Sequence, residues 1–332
     1  MRQVLIPQQL ADLPRALPCG SIVALSGQTM GTTWSVRYIQ TQDLAEAKVA
    51  AAIEAALDQV VQQMSTWLQD SLINRFNLAQ PGTVIQLPAE FSVVLAKALT
   101  VAAQTDGCFD PTIGALVDLW GFGSHDAQDL PPSQTCIQQA LQESGWKKLQ
   151  FDSARRELKQ TGKLSLDFSG IAKGFGVDQV AKVLRVLGLQ HYLVEVGGEF
   201  YGDGIKPDGQ PWWVALERTT EAANLNEYIV AMHGLGVATS GDYRRYFEHH
   251  GQRYAHTIDP QTGWPVAQAP VSVSVLAASC MEADALATAL TVMGLERGLA
   301  FAQTHDIAAL LTANTSSGLV QQASPKLQDM LQ

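Results

Sequence analysis

The order of helix-like and strand-like segments constrains the fold of this chain more than any single motif does. Residues 44–67 and 91–107 keep apolar residues at helical spacing over several turns. Segments 29–39, 192–204, 211–217 and 227–241 are rich in β-branched and aromatic residues, which is typical of strands. Because helices and strands mix irregularly instead of alternating strictly, the sequence predicts an α+β domain with a mixed β-sheet core and packed helices.

The charge balance argues against two classes of partner. The chain carries 32 acidic and 22 basic residues, a formal net charge of -10, and it has no run of Lys or Arg. Nucleic acid and anionic membrane surfaces both require clustered positive charge, so neither is expected as the main partner. No segment approaches the ~20 apolar residues of a membrane span, so no transmembrane segment is predicted. A small-molecule or protein substrate remains.

The cysteines give no sign of a metal or disulfide framework. Cys19, Cys108, Cys136 and Cys280 are scattered along the chain without a C-x-x-C pair. Zinc sites and disulfide-rich domains show closer and more regular cysteine spacing. We therefore expect reduced thiols, as in a cytoplasmic protein.

A carboxylate and a hydroxyl stand four residues apart in the helix-like segment 282–294, EADALATALTVMG. Residues at this spacing share one helical face, so the side-chain oxygens of Asp284 and Thr288 can converge on one point. That point could hold a hard cation. In the alternative interpretation Asp284 complements the helix dipole and Thr288 bonds back to the carbonyl of Asp284. The helix alone leaves both interpretations open.

The segment 164–180, LSLDFSGIAKGFGVDQV, predicts a strand that runs through Gly170, Gly174 and Gly176 into a helix. Glycines let a ligand approach the backbone, and the first amides of a helix attract phosphate oxygens, so the turn could cradle a pyrophosphate. The segment matches neither a Walker A loop nor the G-x-G-x-x-G dinucleotide motif. The alternative is tight packing without a ligand, with Ser169 as an ordinary helix cap.

The segment 253–266, RYAHTIDPQTGWPV, predicts a rigid turn that presents polar groups. His256 is a candidate general base because imidazole titrates near neutral pH. Asp259, Pro260 and Gly263 complete the turn. An ordinary surface turn is the alternative.

Two more segments place polar or aromatic residues beside glycines. One is 237–247, with Thr239, Ser240, Asp242 and Arg244, and the other is 110–123, with Asp110 and Trp120. An isolated Trp is usually a core residue.

Taken together, eight motifs resemble those of the FAD:protein FMN transferases, the ApbE-like family. In chain order they are QTMGTTW, MSTWLQDSLINRFN, FDPTIGALVDLWGFG, LDFSGIAKGFGVD, YLVEVGGEF, ATSGDYRRYF, HTIDPQTGWPV and EADALATAL. The resemblance covers roughly residues 26–320. Each motif is weak alone, but eight in the same order make coincidence improbable.

The resemblance implies an enzyme that binds FAD and Mg²⁺, with Mn²⁺ as the alternative ion. It would transfer the FMN half of FAD to a Thr or Ser hydroxyl of an acceptor flavoprotein and release AMP. An FAD pyrophosphatase that yields FMN and AMP, and a non-catalytic flavin-binding protein, are the competing functions.

The resemblance also implies roles for individual residues. The cation ligands would be the side chains of Asp284 and Thr288, with backbone oxygens of Ala172 and Ala287. His256 would be the catalytic base. The FAD contacts would be Met30, Trp67, Cys108, Phe109, Asp110, Ser169, Phe175 and Ile258.

The domain organisation expected from the sequence is an N-terminal arm, residues 1–25, followed by an ApbE-like catalytic domain, residues 26–325. The arm lacks the uninterrupted apolar stretch of a signal peptide, and Pro18 before Cys19 does not suit a lipoprotein signal. We therefore expect a cytoplasmic protein. A periplasmic or inner-membrane lipoprotein is the alternative if the N-terminus is trimmed.

Overall fold

The computed structural model describes residues 1–7, 16–40, 44–124, 130–217, 225–241, 246–267 and 270–332. The described strands are β1 (Arg2–Leu5), β2 (Ser21–Thr29), β3 (Thr32–Gln40), β4 (Val84–Gln86), β5 (Gln150–Asp152), β6 (Glu157–Lys159), β7 (Tyr192–Val196), β8 (Glu199–Asp203), β9 (Trp212–Ala215), β10 (Glu227–Met232), β11 (Leu235–Gly241), β12 (Tyr246–His249), β13 (Gln252–Ala255), β14 (Ser272–Ala277), β15 (Ala308–Thr315) and β16 (Gly318–Ala323). The described helices are α1 (Glu46–Met64), α2 (Leu72–Asn77), α3 (Ala89–Gln104), α4 (Gly114–Leu119), α5 (Gln134–Glu143), α6 (Ala172–Val186), α7 (Cys280–Thr304) and α8 (Pro325–Gln328).

An eight-stranded sheet forms the centre of the fold. Its strand order is β16-β15-β14-β11-β8-β7-β3-β2, and every neighbouring pair is antiparallel. Among the described strands, parallel pairing occurs between β1 and β10, in a separate three-stranded sheet. The predicted α+β class is confirmed. The large sheet is antiparallel throughout, and the parallel pair β1–β10 lies in the smaller sheet.

The N-terminal residues are built into the fold. Strand β1 pairs with β10, and Leu5 forms a further bridge with Leu331 near the C-terminus. Strand β2 pairs with β3 over its whole length, so the expected boundary between residues 25 and 26 falls inside a strand. Residues 2–5 and 21–25 are thus parts of the domain rather than an appended arm.

Helix α7 is the central helix of the core. It packs against β11, β14 and α6, and its first half, up to Met293, is largely buried, with alanines that allow close approach. Gly294 interrupts it with a φ of 78°, which matches the predicted end of the helix at this glycine. By length and composition alone α7 could cross a membrane, but half of the apolar stretch is buried inside the fold, as in a core helix.

The structure corrects the prediction for residues 164–180. Strand β6 pairs with β5, and residues 160–171 contribute only one isolated bridge, between Ser165 and Ile113. The predicted strand before Gly170 is absent from this described segment. Gly174 and Gly176 lie inside helix α6 rather than in a loop before it.

These helical glycines serve close packing. A Cβ atom on Gly174 would lie 2.4 Å from the carbonyl oxygen of Cys280, at the start of α7. A Cβ atom on Gly176 would lie 2.9 Å from the terminal methyl of Met30. Because glycine has no side chain, α6 packs closely against α7 at Gly174 and against the β2–β3 turn at Gly176.

We predict that Gly174→Ala destabilises the protein. Alanine favours a helix over glycine by up to about 1 kcal/mol, but overpacking against a backbone carbonyl costs about 1–3 kcal/mol, and helix α6 would also have to move from α7. The net fall in the free energy of unfolding is measurable by urea denaturation. Gly162→Ala is the control, since a Cβ there meets nothing within 4 Å. Equal stability of the two variants would contradict the packing role.

Candidate active site

The side chains of Asp284 and Thr288 both face the beginning of helix α6. Oδ2 of Asp284 accepts a hydrogen bond from the backbone N–H of Gly174, at 2.9 Å. The hydroxyl of Thr288 lies against Gly170, where a Cβ would come within 2.8 Å of Oγ1. The helical spacing therefore brings both oxygens to the 170–174 segment, as predicted.

The structure does not show the alternative arrangement, in which Asp284 complements the helix dipole and Thr288 bonds back to the carbonyl of Asp284. Within the described part of the chain, the Thr288 hydroxyl makes no hydrogen bond, whereas Thr291 on the same helix bonds back to the carbonyl of Ala287 at 2.8 Å. Asp284 bonds to a different helix instead of to its own first turn, where Glu282 is the acidic residue. Both oxygens thus point away from their own backbone.

The carboxylate of Asp178 fixes where α7 begins. It accepts hydrogen bonds from the Ser279 hydroxyl at 2.8 Å and from the backbone N–H groups of Cys280 and Met281 at 2.9 and 3.0 Å. Burial raises the pKa of Asp178, while these donors oppose the shift. Because Asp178 belongs to α6, this cap sets the register of α7, and hence of Asp284, against α6.

Two charged residues at this site were missed from the sequence. The Lys173 ammonium lies 2.8 Å from Oε1 of Glu199 and 3.8 Å from Oδ1 of Asp284. Glu199 is fully buried at the start of β8. Glu199 and the buried Tyr201 lie two positions apart on the inward face of β8. This spacing could have identified Glu199 from the sequence, because an acidic residue on the inward face of a strand needs a partner.

The amides of the glycine segment are largely engaged within the protein. The Gly174 N–H donates to Asp284, and the N–H groups of Ile171 and Ala172 both donate to the carbonyl of Phe168. These three amides are therefore engaged within the protein, and the phosphate-binding role of the segment stays a prediction.

Ser169 lies exposed on the bend before α6. Its N–H donates to the Asp167 carboxylate at 2.7 Å, and its hydroxyl donates to the same oxygen. Asp167 therefore fixes the orientation of Ser169. The predicted FAD contact of Ser169 stays a prediction.

Asp110 organises the loop that follows helix α3. One carboxylate oxygen accepts the N–H and the hydroxyl of Thr112, at 2.8 and 2.6 Å, and the other accepts the N–H of Trp146 at 3.0 Å. Burial raises the pKa of Asp110, and the bonds to Thr112 and Trp146 oppose the shift. Asp110 thus supports the loop that carries Cys108 and Phe109, both of which are buried.

His256 directly follows strand β13 and is partly buried. Its ring meets the edge of Phe122 at a centroid distance of 6.4 Å. The turn after it is rigid: Asp259 accepts from the N–H of Gln261 at 2.9 Å, and the Gly263 N–H donates to the Asp259 carbonyl at 2.8 Å. The predicted turn is confirmed.

An aromatic cluster supports this turn. Trp120 is fully buried, its ring lies 5.5 Å from Tyr254 and 5.2 Å from Trp264, and its indole N–H donates to the carbonyl of Gly263 at 2.8 Å. Phe122 and Phe247 complete the cluster. The sequence interpretation of Trp120 as a core residue holds, and its hydrogen bond ties helix α4 to the turn of His256.

Cys108 lies between helix α7 and the turn of His256. The Arg297 guanidinium approaches its sulfur at 3.8 Å, and the Gln261 side chain donates to the carbonyl of Asp106 at 3.0 Å. Burial raises the pKa of the Cys108 thiol, Arg297 opposes this shift, and Asp259 adds to it. These contacts connect the α7 side of the site with the His256 side. All four cysteines are free.

The remaining predicted contacts are spread around the start of α6 and the aromatic cluster. Met30 packs on Gly176, Phe175 is buried in α6, and Ile258 bridges to Pro265. Trp67 is 63% exposed after helix α1, and its predicted contact with FAD stays a prediction. Asp242 and Arg244 lie outside the described residues.

The hydroxyl of Thr239 shares a hydrogen bond with that of Ser274, at 2.8 Å. Both residues are buried in the sheet, so the Thr239 hydroxyl satisfies a buried polar neighbour within the core.

The chain is similar to flavin transferases in sequence and in structure. Residues 30–311 match the ApbE family. The FAD:protein FMN transferases of Haemophilus influenzae and Vibrio cholerae are each 39% identical to it, over 91% and 93% of this chain and 90% and 92% of the relatives. The apo crystal structure of the flavinyl transferase ApbE of Pseudomonas stutzeri has a TM-score of 0.87 at 38% identity and covers 93% of this chain and 96% of its own.

The antiparallel sheet with α6 and α7 packed on it is therefore the fold of flavin transferases of known structure. This chain belongs to the ApbE family.

We predict that Trp120→Phe loosens the turn of His256. The variant keeps most of the ring but leaves the Gly263 carbonyl without its donor, which costs about 1–3 kcal/mol of unfolding free energy for a buried group. Hydrogen–deuterium exchange should quicken over residues 259–266 while α6 stays protected. Trp213→Phe, at a ring that is 38% exposed, is the control. Unchanged exchange in Trp120→Phe would show that the hydrogen bond does not hold the turn.

Proposed function

We propose that this protein transfers the FMN half of FAD to a Thr or Ser hydroxyl of an acceptor flavoprotein, in a Mg²⁺-dependent reaction that releases AMP. Membership of the ApbE family and the naming of its relatives as FAD:protein FMN transferases support flavin transfer. The observation that carries the metal dependence is the pair Asp284 and Thr288, whose oxygens face the bend before α6.

The residues present fit a magnesium ion that shares its coordination with substrate. Mg²⁺ takes oxygen ligands, and it commonly uses one or two protein carboxylates, phosphate oxygens and water. Asp284 supplies a carboxylate and Thr288 a hydroxyl that bonds to no other described residue.

Backbone oxygens would add to this set. The carbonyls of Ala172, the first residue of α6, and of Ala287 are the proposed contributors. The Ala287 carbonyl already accepts the hydroxyl of Thr291, so it is the weaker contributor. When bound, the ion would supply positive charge to the diphosphate, where negative charge grows on the leaving phosphate.

His256 acts in the proposed reaction as the general base. The oxygen of the acceptor hydroxyl bonds to the phosphorus of the FMN half, and the anhydride bond to the AMP phosphate breaks. AMP leaves with the bridging oxygen, and the hydroxyl proton passes to the imidazole of His256. The ring of Phe122 lies beside the imidazole, and the Asp259 turn follows three residues later, so both help to place His256 for the acceptor.

The direct test is incubation of the protein with FAD, Mg²⁺ and a candidate acceptor, followed by mass spectrometry of the acceptor. A covalent FMN adduct together with free AMP is the expected result. Free FMN and AMP without an adduct would show an FAD pyrophosphatase. Unchanged FAD would show a flavin-binding protein without turnover.

We predict that Asp284→Ala lowers the transfer rate by about 100-fold or more, because loss of the ligand removes several kcal/mol of charge stabilisation. Asp284→Asn is the matched variant, since its amide oxygen can still accept from Gly174 while the charge is gone. Both variants should lose activity, with circular dichroism showing an intact fold. Full wild-type activity in EDTA would rule out a metal role.

We predict that His256→Ala slows FMN transfer by about 10²–10⁴-fold while FAD binding changes little, since a base acts on the nucleophile. Single-turnover kinetics and fluorescence titration with FAD separate the two quantities. His305→Ala, at an exposed residue that ends α7, is the control. A parallel loss of affinity and rate would identify His256 as a structural residue.

A further inference from the structure

Helix α2 contacts two segments of the candidate site and is itself anchored in the core. Leu72, Ile73 and Phe76 are buried on one side of the helix, within the main core. The hydroxyl of Ser71, which is fully buried, caps the helix by accepting the backbone N–H of Asn74 at 3.2 Å. A helix fixed in this way is a rigid support for the side chains that leave it in other directions.

The Asn74 side chain holds the loop that carries Trp67. Its Nδ2 donates to the carbonyl of Thr66 at 2.8 Å and to the carbonyl of Leu68 at 3.0 Å. These carbonyls belong to the residues on either side of Trp67, whose side chain is largely exposed. Because an amide NH₂ group has two donors, one for each carbonyl, Asn74 restricts the backbone on both sides of Trp67.

Asn77, three residues further along α2, holds the segment that leads to the bend before α6. Its Nδ2 donates to the carbonyl of Leu166 at 2.9 Å, and its Oδ1 accepts the N–H of Leu166 at 2.7 Å. The side chain thus takes both backbone hydrogen bonds of Leu166, as a neighbouring strand would. The same segment then brings Ser169 to the bend and Gly170 against Thr288.

Gln160 gives this segment a second attachment to α2. The residue is fully buried, and its Nε2 donates to the carbonyls of Phe76 and Leu164 at 3.1 and 3.0 Å. Its Oε1 accepts the N–H of Leu164 at 3.1 Å. Phe76 directly precedes Asn77, so two amide side chains join the end of α2 to Leu164 and Leu166. A shift of the segment by one residue would break both sets of hydrogen bonds.

We infer that Asn74 and Asn77 are positioning residues for the proposed FAD site, an inference that rests on the proposed function. Asn74 acts through Trp67, and Asn77 acts through the segment that carries Ser169 and Gly170. Because both asparagines belong to one anchored helix, α2 holds the exposed ring and the bend in a fixed relation before FAD arrives. FAD then does not have to order either segment when it binds.

The expected effect of Asn74 follows from the cost of ordering a backbone. A Trp67 loop that is loose in the free protein has to be fixed when FAD binds, and fixing the backbone of one residue weakens binding by roughly tenfold. This effect requires the Trp67 ring, because without the ring the loop gains no contact that its order could improve. The effects of changing Asn74 and Trp67 should therefore not be additive.

The test is a double-mutant cycle in FAD affinity, measured by isothermal titration calorimetry of the full chain with Mg²⁺ and without an acceptor. Asn74→Asp keeps the size of the side chain but removes its N–H donors, and it is expected to raise the Kd for FAD roughly tenfold. In the Trp67→Ala background the same change is expected to alter the Kd by no more than about twofold. Asn74→Leu, which adds no charge, should give the same pattern.

Gln86→Glu is the matched control. The Gln86 side-chain amide also donates to two carbonyls, those of Arg155 and Arg156 at 2.8 and 3.2 Å, but it holds the turn between β5 and β6. The variant makes the same chemical change and adds the same charge as Asn74→Asp. Its Kd for FAD should equal that of the wild type.

Asn77→Asp is expected to behave differently in the same cycle. Its carboxylate keeps the acceptor for the Leu166 N–H but loses the donor to the Leu166 carbonyl, which loosens the segment before the bend rather than the Trp67 loop. The Kd for FAD should therefore rise by the same factor with and without the Trp67 ring. A purely structural role would give Asn74 and Asn77 the same pattern.

Hydrogen–deuterium exchange of the free protein shows which segment each variant loosens. Asn74→Asp should quicken exchange over residues 65–70 and leave 164–170 protected, and Asn77→Asp should do the reverse. A general loss of stability would quicken exchange over both segments in both variants, and that result would overturn the inference.

Three further results would overturn the inference. One is an unchanged Kd for FAD in both Asn74 variants, and another is a rise of the Kd in these variants that is equal with and without the Trp67 ring. The third is a Gln86→Glu variant that binds FAD as weakly as Asn74→Asp.

The Trp67→Ala variant and the wild type separate this inference from the proposed function. A wild-type protein that binds no FAD would overturn the proposed function, and the positioning role with it. FAD binding that weakens in Trp67→Ala but not in Asn74→Asp or Asn74→Leu would overturn the positioning role alone.

Discussion

The contact between helices α6 and α7 determines the geometry of the candidate site. Asp178 of α6 holds the first amides of α7, and Gly174 lets the backbone of Cys280 come against α6 without a side chain between them. A hydrogen-bonded cap fixes the position of α7 along its axis, and close backbone packing fixes its distance from α6. Once the axial position of α7 and its distance from α6 are fixed, the Asp284 carboxylate lies at the Gly174 amide. The same contact places Thr288 over Gly170.

The site has two parts with different supports. The carboxylate and hydroxyl belong to the main core, where α7 packs on the large sheet. His256 belongs to the smaller aromatic cluster around Trp120, which packs separately from that core. The Cys108 loop touches both parts, through Arg297 of α7 and through Gln261 of the His256 turn. In the proposed reaction Asp284 and Thr288 act at the diphosphate, and His256 acts on the acceptor hydroxyl. The residues for each task are therefore held by a different part of the core.

Helical periodicity was enough to predict part of this site from the sequence. The i, i+4 spacing placed Asp284 and Thr288 on one face, and Gly294 correctly marked the break in α7. The sequence left two interpretations of the α6 glycines open, because a phosphate-binding turn and a close helix contact both need a residue without a side chain. The close packing against α7 became visible only in the structure. Strands β2 and β16 were missed because neither has a buried apolar face: Val23 is the one buried residue in the two strands. Lys173 and Glu199 were missed because their contact joins positions 26 residues apart, and no local pattern encodes it.

The charges around α6 explain why substrate and cation would bind together in the proposed reaction. Asp284 and Glu199 carry two negative charges and Lys173 one positive charge, all within the contacts described at the start of α6. The Asp284 carboxylate attracts a divalent cation but repels a bare diphosphate. A divalent cation held by Asp284 would remove this repulsion, and substrate oxygens would complete a ligand set that the protein alone leaves thin. Each partner would thus lower the cost of binding the other, because neither charge would have to be buried uncompensated.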